Sequence, residues 1–373
     1  MFGIVSANRT SNAGGAVQET LFAQEHTRAG FPPLLGEQKD IRYFGTDPRS
    51  LLNSPATTGM SFWSINPYVG CAFGCAYCYA RYAHRYAAER LSDAVVSADG
   101  AREELSVLPH WLSFERRIFV KREAGAVLRR ELRRPARFRA LQRETVVIGT
   151  ATDPYQPAER RFRITRGVLE TLADQVGLSV TIITKSPLVT RDVDLLVRIA
   201  AQSRLSVHVS LITADRELAR RLEPRAPTPE ARLRAIGRLR AHGIEVGVNV
   251  MPVLPGITDA PRLLDSLVRS VAGAGASYLG ACALRLQSAA RQRYLPFIEA
   301  EFPHLADRYR STYARSHTVG ERYRQGLREH FRVLCAAHGV VFDRYYKSED
   351  DEEETSEMAD GEQSTSPQLS LSL

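Results

Sequence analysis

Six short apolar segments alternate with amphipathic helical patterns through the middle of the chain, and this alternation constrains the fold most. The segments span residues 61–68, 145–152, 179–186, 205–212, 244–253 and 276–286. Several are nearly continuous aliphatic runs, which is typical of parallel strands covered on both faces. Helical periodicity lies between them at 163–177, 190–203 and 229–243, where Gly243 supplies an expected helix end. The pattern predicts an α/β fold with a parallel sheet.

Two α/β architectures fit this alternation, a doubly wound sheet and a barrel. A doubly wound sheet usually carries a Gly-rich turn after its first strand, but a loop with three cysteines occupies that place here. A barrel concentrates its chemistry at the carboxyl ends of several strands. Polar residues fall at such ends, as in TATD (150–153) and TKS (184–186). We therefore favour the barrel.

Three of the five cysteines, Cys71, Cys75 and Cys78, lie within eight positions directly after the first predicted strand. Thiolates are soft ligands that hold iron–sulfur clusters and zinc. A [4Fe–4S] cluster normally takes four cysteines, so three would leave one iron with an open coordination position. A zinc site with His84 as fourth ligand is the alternative, although structural zinc sites usually show two Cys pairs or a Cys pair with a His pair. Ordinary cysteines are the third interpretation, and the spacing favours the cluster.

Composition is that of a globular protein from a reducing compartment. Apolar residues make up 44% of the sequence and charged residues 25%, both ordinary values. The first twenty residues lack the basic and apolar regions of a signal peptide, and no run of about 18 apolar residues predicts a membrane span. Clustered cysteines in such a chain indicate metal rather than disulfides. We expect a cytoplasmic protein without membrane association.

Charge is distributed unevenly along the chain. Residues 348–373 contain nine of the 42 acidic residues and no Lys or Arg, so residues 1–347 carry 50 basic and 33 acidic residues, a formal charge of +17. Such a charge attracts polyanions, and it makes nucleic acid a candidate partner. Only four of the basic residues are Lys, and a GC-rich genome produces that bias without selection for binding.

Four regions follow from composition and periodicity. Residues 1–45 are weakly periodic and contain Gly, Asn and Pro, so we expect a partly disordered N-terminal arm. Residues 46–290 form the predicted barrel, and residues 291–347 a helical C-terminal extension. Residues 348–373 have the low hydrophobicity and high charge of a disordered acidic tail.

The stretch CAFGCAYCY (71–79) resembles the Cys-x3-Cys-x2-Cys signature of the radical S-adenosylmethionine (SAM) superfamily, which also follows a strand. Residues 66–81, 114–132, 147–159 and 222–259 are similar to its spore photoproduct lyase-like branch, also called DNA repair photolyase-like. The resemblance covers about residues 45 to 330. It implies a partial (β/α)6 TIM-type barrel, a [4Fe–4S] cluster, and SAM as the fourth ligand through its amino and carboxylate groups. The reduced cluster would cleave SAM to a 5′-deoxyadenosyl radical that abstracts hydrogen from a substrate.

The same resemblance implies roles for individual residues near SAM. Tyr77, inside the cysteine loop, matches a position that packs near SAM. Thr152 matches a hydroxyl that contacts the SAM amino group, and Asp153 lies beside it.

Three further residues follow the later strands. Lys185 would pair with the SAM carboxylate, and a solvated Lys at a strand end is the alternative. Ser210 would bond the ribose hydroxyls, and it could equally be an ordinary barrel-lining serine. Asn249 and the turn at 251–256 would border the adenosine.

The chain departs from the family at the hydrogen donor. Spore photoproduct lyase returns hydrogen to its product through a cysteine at the end of the second strand, where this sequence has Ala151. Tyr77 and Tyr79 match two tyrosines that relay hydrogen there. The catalytic residue is therefore unassigned, with Tyr79 and Cys282 as candidates, although we expect Cys282 to be a buried, inert thiol. Cys335 lies in a helical pattern and is expected in the core.

Two functional hypotheses follow. The first is a radical SAM enzyme supplied with electrons by a flavodoxin- or ferredoxin-type protein. Its substrate would be a nucleic acid, a small molecule or a protein side chain. The second is a non-catalytic zinc- or cluster-binding module that binds nucleic acid. Cys282 and Cys335 are too few for a second cluster, which disfavours enzymes that need an auxiliary one.

Overall fold

The computed structural model describes residues 33–82 and 108–342. The predicted arm up to residue 32, His84 and the acidic tail lie outside the described residues. The strands are β1 Leu34–Gln38, β2 Ile41–Thr46, β3 Leu52–Asn53, β4 Trp63–Ile65, β5 Tyr68–Val69, β6 Arg117–Lys121, β7 Thr145–Ile148, β8 Ser179–Thr184, β9 Arg204–Ser210, β10 Glu245–Val253, β11 Tyr278–Ala283 and β12 Val341–Phe342. The helices are α1 Pro55–Thr58, α2 His110–Arg116, α3 Ala124–Leu132, α4 Pro135–Arg143, α5 Pro157–Phe162, α6 Ile164–Leu172, α7 Val193–Ala200, α8 Arg216–Leu222, α9 Pro229–Ala241, α10 Pro261–Gly273, α11 Ser288–Glu301, α12 Ala306–Thr312 and α13 Glu321–His338, with short 3-10 turns at Tyr79–Tyr82, Pro187–Asp192 and Pro303–Leu305.

The larger sheet has eight strands in the order β12-β11-β10-β9-β8-β7-β4-β3. All neighbouring pairs from β4 to β12 are parallel, and β3 pairs antiparallel with β4. The six predicted segments supply β4 and β7 to β11, with helices between them. The predicted α/β fold with a parallel sheet is therefore confirmed, and the sheet ends at β3 and β12 as a partial barrel does.

Alternation along β8 explains how this sheet encloses a cavity. Val180 and Ile182 point outward and are buried against helices. Ser179 and Thr181 point to the other face, where they line the interior. Successive side chains of a strand point to opposite faces, so an apolar outer face and a partly polar inner face coexist. The main aliphatic core consequently lies between the sheet and its helices.

A second sheet of four strands, ordered β1-β2-β6-β5, lies beside the barrel and was not predicted. Residues 34–45, the described end of the predicted arm, lie in its first two strands and the turn between them. The predicted strand 61–68 ends at Ile65, and Tyr68–Val69 pairs with β6. Tyr68, Ile118 and Val120 pack against Ala72 of the cysteine loop. The small sheet thus supports the loop from outside the barrel.

The C-terminal helices pack on the barrel and against one another. On α13, Phe331 and Cys335 are buried in the main core, as expected for Cys335. Tyr294, Tyr309 and Tyr313 form a second aromatic group, with Tyr309 stacked on Tyr313. Among the described residues, each helix is too short or too polar to cross a membrane.

Gly247 on β10 permits a close aromatic contact inside the barrel. Its register partner on β11 is Tyr278, whose ring lies where a Cβ at position 247 would be. We expect Gly247→Ala to lower the free energy of unfolding by about 1–3 kcal/mol, since the ring must move in a packed interior. Urea denaturation measures the change.

A matched control is Gly237→Ala on α9. A Cβ there meets only the Ala274 carbonyl oxygen, at 3.8 Å. Alanine is favoured over glycine by about 0.5–1 kcal/mol within a helix, so the control should be neutral or stabilising. Equal effects of the two substitutions would contradict the proposed overlap.

Candidate functional site

The cysteine loop begins at the end of β5 and is shaped by two glycines. Gly70 has φ +84° and Gly74 has φ +66°, a region that side chains other than glycine rarely adopt. A Cβ at Gly70 would lie 2.6 Å from the Phe114 carbonyl oxygen, and one at Gly74 would lie 2.5 Å from Arg225 Nη2. The loop therefore turns tightly between elements that leave no room for side chains.

Hydrogen bonds to the backbone of the loop fix it at several points. Cys71 N–H donates to the Phe114 carbonyl (2.9 Å), and Ala76 N–H donates to the Leu222 carbonyl (3.0 Å). Arg81 Nη2 donates to the Cys75 carbonyl (2.8 Å), and Arg225 Nε donates to the Ala72 carbonyl (2.6 Å). These contacts come from separate parts of the chain, so the folded protein sets the loop conformation.

Gln156 holds the loop from the other side. Its amide oxygen accepts from Ala72 N–H (2.9 Å), and its Nε2 donates to the Gly70 carbonyl (3.0 Å) and to Thr152 Oγ1 (3.0 Å). The Thr152 hydroxyl also donates to the Gly70 carbonyl at 2.5 Å. Thr152, predicted to contact SAM, thus also positions the cysteine loop.

The three cysteines line the same cavity. Burial first, then Asp153 and the thiols of Cys75 and Cys78, raise the pKa of Cys71 well above its usual range. Burial also raises the pKa of Cys75 to about 12; Glu223 and Cys78 add to this rise, and Lys185 opposes it. Two of these cysteines are buried, so their thiolate forms would need a cationic partner, which an iron–sulfur cluster would supply. The donor set therefore fits the cluster that the signature implies.

Within the two described ranges, no three His, Cys, Asp or Glu residues converge on a single-ion site. A tetrahedral zinc ion draws its sulfur ligands to about 2.3 Å from one centre. A [4Fe–4S] cluster has one thiolate on each iron, so its cysteines are spread more widely.

Asp153 ends the β7 segment with its carboxylate engaged on both oxygens. Oδ1 accepts from the Thr184 hydroxyl (2.7 Å) and Tyr155 N–H (2.9 Å), and Oδ2 accepts from Lys185 N–H (2.8 Å). Burial raises the pKa of Asp153 against the opposing effect of these hydrogen bonds. The carboxylate joins the ends of adjacent strands and fixes the backbone of Lys185.

Glu223 links Tyr77, Arg232 and Lys185 at the wall of the site. Its Oε1 accepts a hydrogen bond from the Tyr77 hydroxyl and lies 3.9 Å from Lys185 Nζ. Its Oε2 pairs with Arg232, which also donates to the Ser210 carbonyl at 3.0 Å. Burial alone would raise the pKa of Glu223, but Arg232 and Lys185 outweigh it and lower that pKa. Glu223 is therefore a buried, paired carboxylate.

Lys185 lies at the end of β8 with its ammonium turned to the cysteines. Its Nζ is 5.6 Å from the centre of the Tyr77 ring, and its side chain is 16% exposed. Burial tends to lower the pKa of Lys185, but Cys75 and Glu223 raise it above its usual value. The ammonium thus remains charged inside the site.

Ser210 ends β9 and is the register partner of Asn249, which lies in the middle of β10. His208, two residues earlier on β9, hydrogen bonds with the Asn249 side chain, and its Nε2 is 2.6 Å from the Tyr278 hydroxyl. Burial lowers the pKa of His208 to about 4, so the imidazole is neutral. A Tyr–His–Asn network therefore underlies the predicted adenosine site.

The candidate catalytic residues differ in their surroundings. Tyr79 is half exposed, and its hydroxyl donates to the Thr150 carbonyl. Cys282 is exposed at the end of β11, so the expectation of a buried thiol was wrong. Ala151 N–H donates to Asn66 Oδ1 (2.8 Å), and its methyl group offers no hydrogen atom comparable to that of a thiol.

One cavity of about 1850 Å³ opens at the carboxyl ends of the strands and extends through the barrel. It is lined by every predicted site residue, namely Cys71, Cys75, Cys78, Tyr77, Tyr79, Thr152, Asp153, Lys185, Ser210, Asn249 and Cys282. Ala151 is outside this lining. The fold thus brings together residues from positions 71 to 282, although their individual roles remain predictions.

Sequence reasoning missed four residues that organise the site. They are Arg81, Gln156, His208 and Glu223, all buried. Buried polar groups need partners, and several of these partners are distant in sequence, as Tyr77 is from Glu223. A sequence signal existed for Arg81, Gln156 and Glu223, which fall inside segments that resemble the family, but not for His208.

Known proteins resemble this chain in sequence. The model of the radical SAM superfamily matches residues 65–266, more than half of the chain. An uncharacterized protein of Mycobacterium tuberculosis is 37% identical over 297 residues, which covers 79% of this chain and 80% of that protein. Another, from Methanocaldococcus jannaschii, is 25% identical over 200 residues, or 54% of this chain and 63% of that protein.

Solved structures of spore photoproduct lyase share the fold. One in complex with the dinucleoside spore photoproduct has a TM-score of 0.56 at 16% identity, over 80% of this chain and 81% of that chain. A variant with bound SAM and the same dinucleoside has a TM-score of 0.55 at 15% identity, over 84% and 87%. This chain belongs to the radical SAM superfamily and is an enzyme with a fold like that of spore photoproduct lyase.

Proposed function

We propose that Cys71, Cys75 and Cys78 hold a [4Fe–4S] cluster whose open iron binds SAM. The supporting observation is that all three cysteines and the six predicted SAM contacts line one cavity. When bound, the cluster would supply the electron for reductive cleavage of SAM, which would provide a 5′-deoxyadenosyl radical for hydrogen abstraction. Membership of the superfamily supports this proposal over the non-catalytic binding module.

The residues around the cavity would bind and orient SAM. Lys185 would pair with the SAM carboxylate, and Glu223 and Tyr77 hold its ammonium in place. Thr152, with Asp153 beside it, would contact the amino group. Ser210 would bond the ribose hydroxyls.

Asn249 would border the adenosine, and its amide is held by the neutral ring of His208. Apolar residues such as Phe73 and Leu284 line the same cavity and exclude water around a reactive radical.

We favour nucleic acid as the substrate class. The formal charge of +17 on residues 1–347 would attract a polyanion, and the solved protein of similar fold is complexed with a dinucleoside photoproduct. Ala151 argues against a hydrogen return like that of spore photoproduct lyase. Cys282 and Tyr79 are the proposed replacements, because both side chains line the cavity. The electron would come from a flavodoxin- or ferredoxin-type protein.

Replacement of Cys71, Cys75 and Cys78 together by Ala should abolish both iron binding and SAM cleavage. The protein is purified without oxygen, and iron, sulfide and 5′-deoxyadenosine are measured after dithionite reduction. Cys335→Ala is the control, since this thiol lies in the distant core, and it should keep both properties. A colourless parent protein with stoichiometric zinc would overturn the proposal.

Lys185→Met should weaken SAM binding by about 10- to 100-fold, because a charge-assisted hydrogen bond contributes about 1.5–3 kcal/mol. Calorimetric titration of the oxidised holoenzyme with SAM measures the affinity, because the oxidised cluster does not cleave SAM. Lys121→Met on β6 provides the matched control. Unchanged affinity in Lys185→Met would refute the predicted pairing with the carboxylate.

Hydrogen return can be tested with deuterium. Labelled candidate substrates are first screened for deuterium transfer into 5′-deoxyadenosine. The reacting substrate is then turned over in D2O, where thiol and phenol hydrogens exchange with solvent. Product from the parent enzyme should carry solvent deuterium, and product from Cys282→Ala should lose it if the thiol is the donor. Loss in Tyr79→Phe but not in Cys282→Ala would assign the donation to the phenol instead.

A further inference from the structure

Four arginines lie near one carboxylate, Glu115, on the outer side of the cysteine loop. We name Arg81, Arg116, Arg225 and Arg293 the outer arginine cluster. Arg81 Nη2 lies 2.6 Å from Glu115 Oε2, and Arg225 Nη2 lies 3.4 Å from Glu115 Oε1. The arginines come from four distant stretches of sequence, so tertiary folding assembles them.

Within residues 33–82 and 108–342, two carboxylates, Glu115 and Asp40, pair with arginines of this group of four. Burial lowers the pKa of Arg116, and the nearby charges of Arg225 and Arg117 lower it further. Burial also lowers the pKa of Arg293; Glu115 opposes this, while Arg81, Arg225 and Arg116 reinforce it. Asp40 pairs with Arg116 at the edge. Repelling guanidinium groups destabilise a fold, which suggests that an external anion completes the arrangement.

The cluster contacts the loop that carries the cysteines. Arg225 donates to the Ala72 carbonyl and Arg81 to the Cys75 carbonyl, at 2.6 Å and 2.8 Å. Arg81 is fully buried, whereas the Arg116 and Arg225 side chains are 30% and 29% exposed. The partly exposed Arg225 guanidinium therefore lies against the cysteine loop, and Arg116 lies near Arg225.

The cluster is separate from the substrate side. Of the described residues that line the cavity, none belongs to the outer arginine cluster. Phe114 lies between the two, since it lines the cavity and also contacts the Arg81 guanidinium, 5.6 Å from its ring centre. A substrate inside the barrel would not contact these arginines. A partner that binds outside the cysteine loop would contact them.

We propose that the outer arginine cluster is the docking site for an acidic one-electron donor protein. This inference rests on the proposed function, which requires one electron for each SAM cleaved. The donor is oxidised by one electron, and no atom is exchanged. Complementary charge would speed encounter and make binding sensitive to ionic strength. Docking on the outer side leaves the cavity accessible to the substrate.

The test measures binding without turnover. Oxidised, FMN-loaded flavodoxin is titrated into the anaerobic holoenzyme by calorimetry at low and high salt. The double variant Arg116→Glu/Arg293→Glu should weaken Kd at least tenfold at low salt, and the difference should shrink at high salt. SAM cleavage driven by dithionite should be unchanged, while flavodoxin-driven cleavage falls. If the glutamate variant fails to fold, Arg116→Gln/Arg293→Gln is measured in its place.

The control is Arg234→Glu/Arg238→Glu, which makes the same charge change on the exposed face of α9. It should leave flavodoxin affinity near that of the parent. Equal affinity in the cluster variant and the parent would overturn the inference. So would loss of DNA duplex binding with intact flavodoxin binding, which would assign the cluster to nucleic acid. Absence of dithionite-driven cleavage in the parent would instead defeat the proposed function.

Discussion

The buried carboxylate of Glu223 joins the parts of the site that come from distant sequence. It accepts from Tyr77 in the cysteine loop, pairs with Arg232 on α9 and lies near Lys185 at the end of β8. Removing one partner of a buried ion pair costs about 3–5 kcal/mol because the remaining charge is left uncompensated. This carboxylate therefore couples the position of the cysteine loop to the barrel itself.

The cysteine loop is held in place by contacts with the rest of the fold. Thiolates brought together in a buried site repel one another, so the loop that carries them needs other contacts to stay in position. Gln156, Arg81 and Arg225 supply these contacts through hydrogen bonds to loop carbonyls and one loop N–H. The inner faces of the strands provide polar contacts, while their outer faces form the core. Stability and chemistry thus use opposite faces of the same strands.

Local patterns determined how much could be predicted. The strands and the cysteine loop were predictable because apolar runs and ligand spacing are properties of neighbouring residues. The second sheet was missed because β2 and β6 pair across 75 positions, Arg42 with Arg117. Glu223 and Gln156 were missed because their partners are distant in sequence. Cys282 was expected to be buried, but β11 carries it past the packed part of the strand to an exposed position.

The open barrel leaves two sheet edges, and both are very short. Its described edge strands, β3 and β12, have two residues each. Exposed strand edges offer unpaired backbone groups on which another chain can add a strand. Edge strands of two residues offer few unpaired backbone groups for such an addition. The protein can therefore keep a gap in its barrel wall without inviting aggregation through strand addition.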